Sequence, residues 1–101
     1  MNAEGLTTLL AERVMGWKAC PDRFLMSNRK WIPRWRFRPF EDLEDAFQLL
    51  DRAADRFRLT SDNHKMFTAE VQIGRRRRKA AGAHKAKAIT TAIALALGMG
   101  D

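Results

Sequence analysis

Between residues 75 and 87 the chain carries seven cationic side chains, Arg75, Arg76, Arg77, Arg78, Lys79, Lys85 and Lys87, and no acidic one. Cations packed this densely repel one another, and a polyanion relieves the repulsion because each neutralised phosphate releases condensed counterions. The chemistry that such a tract performs is phosphate binding, with an affinity that falls as salt rises. The plain alternative is a solvated loop whose charges only aid solubility. A second basic group, Arg34, Arg36 and Arg38, interleaves with Trp31, Trp35 and Phe37. On a strand these three arginines share one face at a spacing of about 7 Å, twice the rise of ~3.3 Å per residue. That is close to the phosphate repeat along a nucleic-acid strand. Tryptophans beside arginines can also stack bases. In a domain this small Trp17, Trp31 and Trp35 are expected mainly in the core, with at most one exposed.

Other residue types offer little reactive chemistry. Ser27 and Ser61 lack the flanking glycines of a nucleophile elbow, and neither His64 nor His84 has an evident carboxylate to orient it. Cys20 precedes Pro21 and reads as a packed thiol. One cysteine and two histidines are too few for a disulfide framework or a structural zinc site. No glycine-rich phosphate loop occurs, since Gly98-Met99-Gly100 lies at the extreme end. The sequence is therefore read as a non-enzyme with no catalytic residue, no metal and no cofactor.

The charge is unevenly distributed. Residues 1–40 carry +5, residues 41–74 carry −4 and residues 75–101 carry +6, for a total of +7 over 101 residues. Ends that meet on one face would concentrate positive potential there, which makes polyanions the default partners. The apolar fraction of 46% and the mean hydropathy of −0.43 are ordinary for a folded globule with one modest core. The opening residues lack the basic and apolar regions of a secretory signal. The longest apolar stretch, residues 86–99, is broken by Lys87, Thr90 and Thr91, so no transmembrane segment is expected.

These groups need elements to position them. Leu6, Leu9, Leu10 and Val14 predict a helix over residues 5–15, stopped by Gly16. A strand is expected from Trp17 to Cys20, with turns at Pro21-Asp22 and Ser27-Asn28. Alternation from Lys30 to Arg38 predicts a half-buried strand, demoted to an edge or bulged by Pro33. Leu43, Ala46, Phe47, Leu50, Ala54 and Phe57 predict a helix over residues 40–57, with acids at its start and arginines near its end. Two strands, around 57–60 and 65–73, flank a turn at Asp62-Asn63. Residues 75–83 read as a basic loop, residues 84–97 as a last helix burying Ile89, Ala92, Ile93 and Ala96, and residues 98–101 as a frayed end. The expected fold is α+β in a single domain: a small antiparallel sheet of three to four strands packed by about three helices.

Val14-Met15-Gly16-Trp17, the spaced Trp31 and Pro33, Phe37 with Pro39 ahead of Asp45-Ala46, and the late Ala88, Ile89, Ala92 and Ile93 together resemble the phage ABA sandwich domain family. The resemblance spans most of the chain. It implies a bacteriophage or prophage origin, an α+β fold and a place in the cytoplasm of a bacterial host. That family supplies no general activity and no catalytic residues, and the run Arg75–Lys79 departs from it. A shorter stretch, the strand Phe67 to Ile73, the basic turn and Lys85 and Lys87 opening an alanine-rich helix, is similar to the C-terminal half of a double-stranded RNA binding domain. There such lysines meet phosphates at a helix N-terminus. The expected partner is nucleic acid or a nucleoprotein complex, engaged by Arg75, Arg76, Arg77, Arg78, Lys79, Lys85 and Lys87 with help from Arg34, Arg36 and Arg38. The competing expectation is a counter-defence inhibitor that docks on a host defence protein complex or sequesters a nucleotide signal.

Overall fold

The computed structural model describes residues 3–62 and 65–99, so Asn63 and His64, in or beside the expected turn, and the tail 100–101 lie outside the described residues. The first helix, α1, spans Ala3–Arg13 and buries Leu10 and Ala11. Gly16 follows at φ +71°, the left-handed position that a side chain resists. Three short antiparallel strands come next: β1 (Lys18–Ala19), β2 (Arg23–Leu25) and β3 (Trp31–Pro33), paired in that order. The turn between β2 and β3 is held by Asn28, whose Oδ1 accepts from the Lys30 backbone N–H at 3.0 Å.

The expected strand from Lys30 to Arg38 ends at Pro33. Proline offers no ladder donor, and the chain coils into a 3-10 helix at Arg34–Arg36. That coil breaks the alternation, so Phe37 enters the core while its parity partners Trp31 and Trp35 stay 55% and 72% exposed. Two tryptophans are thus exposed where at most one was expected. Trp17 alone is buried, in a trio with Phe24 and Phe37 whose ring centroids lie 5.0–6.1 Å apart.

Helix α2 is Leu43–Ala53. Asp42 caps it, its Oδ1 accepting from the Glu44 and Asp45 backbone N–H groups at 2.9 and 3.2 Å. The helix stops sooner than its apolar period suggests because Ala54 turns extended and Asp55 is captured by the sheet. The Asp55 N–H donates to the Gln72 carbonyl (2.9 Å), and its Oδ2 accepts from the Gly74 N–H (2.7 Å). Phe57 therefore belongs to a strand and lies 53% exposed, not on the helix.

A second antiparallel sheet, β4 (Arg56–Ser61), β5 (Phe67–Ile73) and β6 (Arg76–Gly82), follows in chain order. Most of the expected basic loop at 75–83 is therefore strand β6. The connection from β5 is only Gly74-Arg75, with Gly74 at φ +61°, which fits a type II′ hairpin. Consecutive cations hid the strand, since an alternation of arginine with arginine has no visible period.

Helix α3 (Lys85–Ala96) packs on β5 and β6 on one side and on α2 on another. It is buried almost all round, Thr90 included, and its alanines allow neighbours to approach closely. Thr90 Oγ1 donates to the Pro39 carbonyl at 2.6 Å, tying the central helix to the approach to α2. The helix closes in a Schellman motif: the Met99 N–H reaches the Ala94 carbonyl (2.8 Å) and the Gly98 N–H the Leu95 carbonyl (3.0 Å). Met99 is buried, so residues 98–99 are not a frayed end. A Cβ on Gly98, at φ +78°, would also sit 2.8 Å from Arg76 Nη1. Gly98→Ala is expected to cost about 1–2 kcal/mol, read as a lower urea midpoint. An unchanged midpoint would contradict the role given to this cap.

Candidate functional site

Strand register decides which cations share a face. In the second sheet Arg58, Glu70 and Lys79 lie side by side in one row, and Arg56, Gln72 and Arg77 in the next. Directly paired residues point to the same side of a sheet. The opposite side carries Ala69 and Val71, buried under α3. The outer side thus holds four cations at the corners of a rectangle of about 7 by 10 Å, set by the rise per residue and the strand spacing. At its centre are Glu70 and Gln72. Arg56, Arg58, Arg77 and Lys79 are all exposed, as are Thr60 and Ala81 further along the same face. Arg56, Arg58, Glu70, Gln72 and Arg77 line an open depression of about 440 Å³.

Glu70 is the one carboxylate in this rectangle. Its oxygens lie 3.5 Å from Arg77 Nε and 3.5 Å from Lys79 Nζ. Arg77 also donates to Gln72 Oε1 at 3.3 Å. The cationic partner is largely exposed in each pair, so these ion pairs contribute only about 0–1 kcal/mol. Arg56 and Arg58 pair with no carboxylate among the described residues. One carboxylate against four cations leaves a strong local positive field.

The other basic residues divide. Arg75 occupies the hairpin turn. Arg76 and Arg78 belong to β6 but alternate to the helix side, where the Arg76 guanidinium lies beside Gly98 at the negative end of α3. Lys85 and Lys87 are exposed at the start of α3, with Lys85 Nζ 5.2 Å from the ring centroid of Phe67, at the end of β5 away from Arg75. Arg34, Arg36 and Arg38 do not share a strand face. Arg34 donates to the Cys20 carbonyl (2.6 Å) and to Thr8 Oγ1, and stacks on Phe24 at 4.9 Å. Arg38 is paired with Glu41, and its backbone N–H donates to Asp45 Oδ2 at 2.9 Å. Burial raises the pKa of that Asp45 carboxyl, opposed by this hydrogen bond and by the nearby charge of Arg36. Arg34 is thus engaged by local acceptors and Arg38 by a carboxylate, while Arg36 ends the 3-10 helix exposed.

The family model of the phage ABA sandwich domain matches residues 8–95. This chain belongs to that family. The phage ABA sandwich domain described here is also similar to a phage protein from Bacillus cereus ATCC 14579, known from a 2.0 Å crystal structure, with a TM-score of 0.76. The two chains are 14% identical over 98% of this domain and 90% of the other, a likeness of fold. No curated protein matches the chain. Among the described residues of this phage ABA sandwich domain, no helix is long and apolar enough to cross a membrane. No group of three His, Cys, Asp or Glu side chains there is placed to hold a metal ion.

Sequence reasoning missed Arg56 and Arg58 as site residues. The signal was present: they alternate with Phe57 and Leu59, the pattern of a two-faced strand. A helix extended to Phe57 concealed it.

Proposed function

We propose that the protein is a non-catalytic binder of nucleic-acid phosphates, free or within a nucleoprotein complex, and that the outer face of the β4–β5–β6 sheet is its contact surface. One observation carries this reading: register places Arg56, Arg58, Arg77 and Lys79 together on an uncovered face with a single carboxylate among them. Phosphates laid along the strands meet cations in pairs, and Arg75, exposed in the β5–β6 turn, extends the basic track at one end of the sheet. Phosphate contacts position a nucleic acid without reading its bases, so the binding is expected to be sequence-tolerant.

The test is the salt dependence of affinity for short labelled duplex and single-stranded oligonucleotides. Four phosphate contacts predict a log–log slope of about −3.6 on duplex. Absence of binding at low salt, or a flat salt response, would overturn the reading. If a protein partner captured from host lysate survives nuclease digestion on the beads, docking on a host complex replaces it.

Glu70 supplies an internal check. Removing its charge leaves the four cations unopposed, and Glu70→Gln is expected to tighten binding about three- to tenfold. Unchanged or weaker affinity would place the nucleic acid elsewhere.

A further inference from the structure

A cavity of about 500 Å³ opens where the start of α1, the turn between β1 and β2, and the 3-10 helix meet. Its volume lies within the range of about 300–1,000 Å³ typical of small-molecule sites. It shares no lining residue with the depression on the second sheet. Phe24 and Phe37, both buried, and half-buried Phe40 give it an apolar floor, while Thr8, Arg34 and Trp35 stand around it.

Two features of this cavity are unused by the fold. The first is Trp35. It is 72% exposed, and among the described residues its ring meets no other ring and no cation. Trp31, by contrast, has the Arg23 guanidinium 4.7 Å from its ring centroid. The second is the charge of Arg34. Its side chain is fixed by the Cys20 carbonyl, Thr8 and the Phe24 ring, yet it makes no ion pair with a described residue. A guanidinium has five N–H donors, and among the described residues two of Arg34's nitrogens are engaged. Of the carboxylates around the cavity, Asp22 is held by Arg23 at 3.1 Å and Glu41 by Arg38. Glu4 sits in the first turn of α1, where the positive end of the helix offsets it.

We propose that this cavity binds a small molecule made of a flat ring and one anionic group, the ring stacking on Trp35 and the anion meeting Arg34. A fixed guanidinium in an apolar-walled recess binds an anion more strongly than a mobile surface lysine, because its orientation is already set. A mononucleotide and an aryl carboxylate share this chemistry, and the experiment separates them.

Calorimetric titration of the whole protein uses four probes: adenosine 5′-monophosphate, benzoate, adenosine and inorganic phosphate. Saturable one-to-one binding of at least one ring anion is expected, with adenosine and inorganic phosphate at least tenfold weaker. The stronger of the two ring anions identifies the source. Trp35→Ala removes an exposed side chain, leaves the fold intact and is expected to weaken the ring anion at least tenfold. Arg34→Lys keeps the charge but loses the fork, and should weaken it severalfold. The fourfold variant of the sheet face, Arg56→Gln with Arg58→Gln, Arg77→Gln and Lys79→Gln, should leave it unchanged. The proposal is overturned if neither ring anion binds, if adenosine binds as well as its phosphate, or if Trp35→Ala has no effect. It is equally overturned if the sheet-face variant abolishes binding, which would assign the anion to the nucleic-acid surface.

Discussion

Replacing Arg56, Arg58, Arg77 and Lys79 together by glutamine is expected to lower affinity for duplex DNA or RNA at least about a hundredfold at low salt and to remove about 3–4 units of the salt slope. Each cation contributes about one counterion to the slope, so the loss in slope counts the contacts directly. All four side chains are exposed and none fills the core, so the variant should fold as the parent does. A matched control removes four other exposed cations, Arg13, Lys18, Arg29 and Lys30, and leaves the same net charge. Compared at about 0.1 M salt, the control should lose less than about fivefold, because there charges separated from the contact by more than a Debye length of about 10 Å are largely screened. Equal losses in the two variants would mean that total charge, and not this face, drives association.

The second large effect concerns the core. Phe24 is 1% exposed, meets both Trp17 and Phe37, and supports the Arg34 guanidinium at 4.9 Å. Phe24→Ala combines lost transfer energy with a cavity and is expected to cost about 3–5 kcal/mol. For a domain whose total stability is about 5–15 kcal/mol, that is a large share. With a denaturant slope of about 1–3 kcal/mol/M, the urea midpoint should fall by about 2 M. Phe24→Leu, which keeps most of the volume, should cost less than about 1.5 kcal/mol. A midpoint for Phe24→Ala within about 0.5 M of the parent would show that the aromatic trio is not central to the first half of the fold.

Helical and strand periods made much of this architecture legible. Leu9 and Leu10, Ala46 and Leu50, and Ile89 and Ile93 mark three helices, and Phe67, Ala69, Val71 and Ile73 mark the central strand of the second sheet. The illegible parts share a physical cause: a side-chain pattern that serves two backbone conformations. Arg76 to Lys79 look alike on both parities, so only pairing with β5 reveals which pair faces out. Phe57 fits the period of α2, yet Asp55 pins the chain to Gln72 and Gly74 before the helix can reach it. Trp31, Trp35 and Phe37 share a parity that Pro33 and the 3-10 helix then break. The site was half visible for the same reason. Arg77 and Lys79 stood out by their density, Arg56 and Arg58 were hidden at a mistaken helix end, and Arg34 and Arg38 were drawn away by Thr8, Cys20 and Glu41.

On the proposed reading, phosphates contact the uncovered side of the second sheet. Amide chemical-shift mapping of the isotope-labelled protein with a short duplex at low salt tests this most directly. Perturbations are expected over Arg56–Arg58, Glu70–Gln72 and Arg77–Lys79, fading as salt is raised. Shifts confined to Arg34–Arg38 and the start of α1, or spread evenly around the molecule, would contradict it.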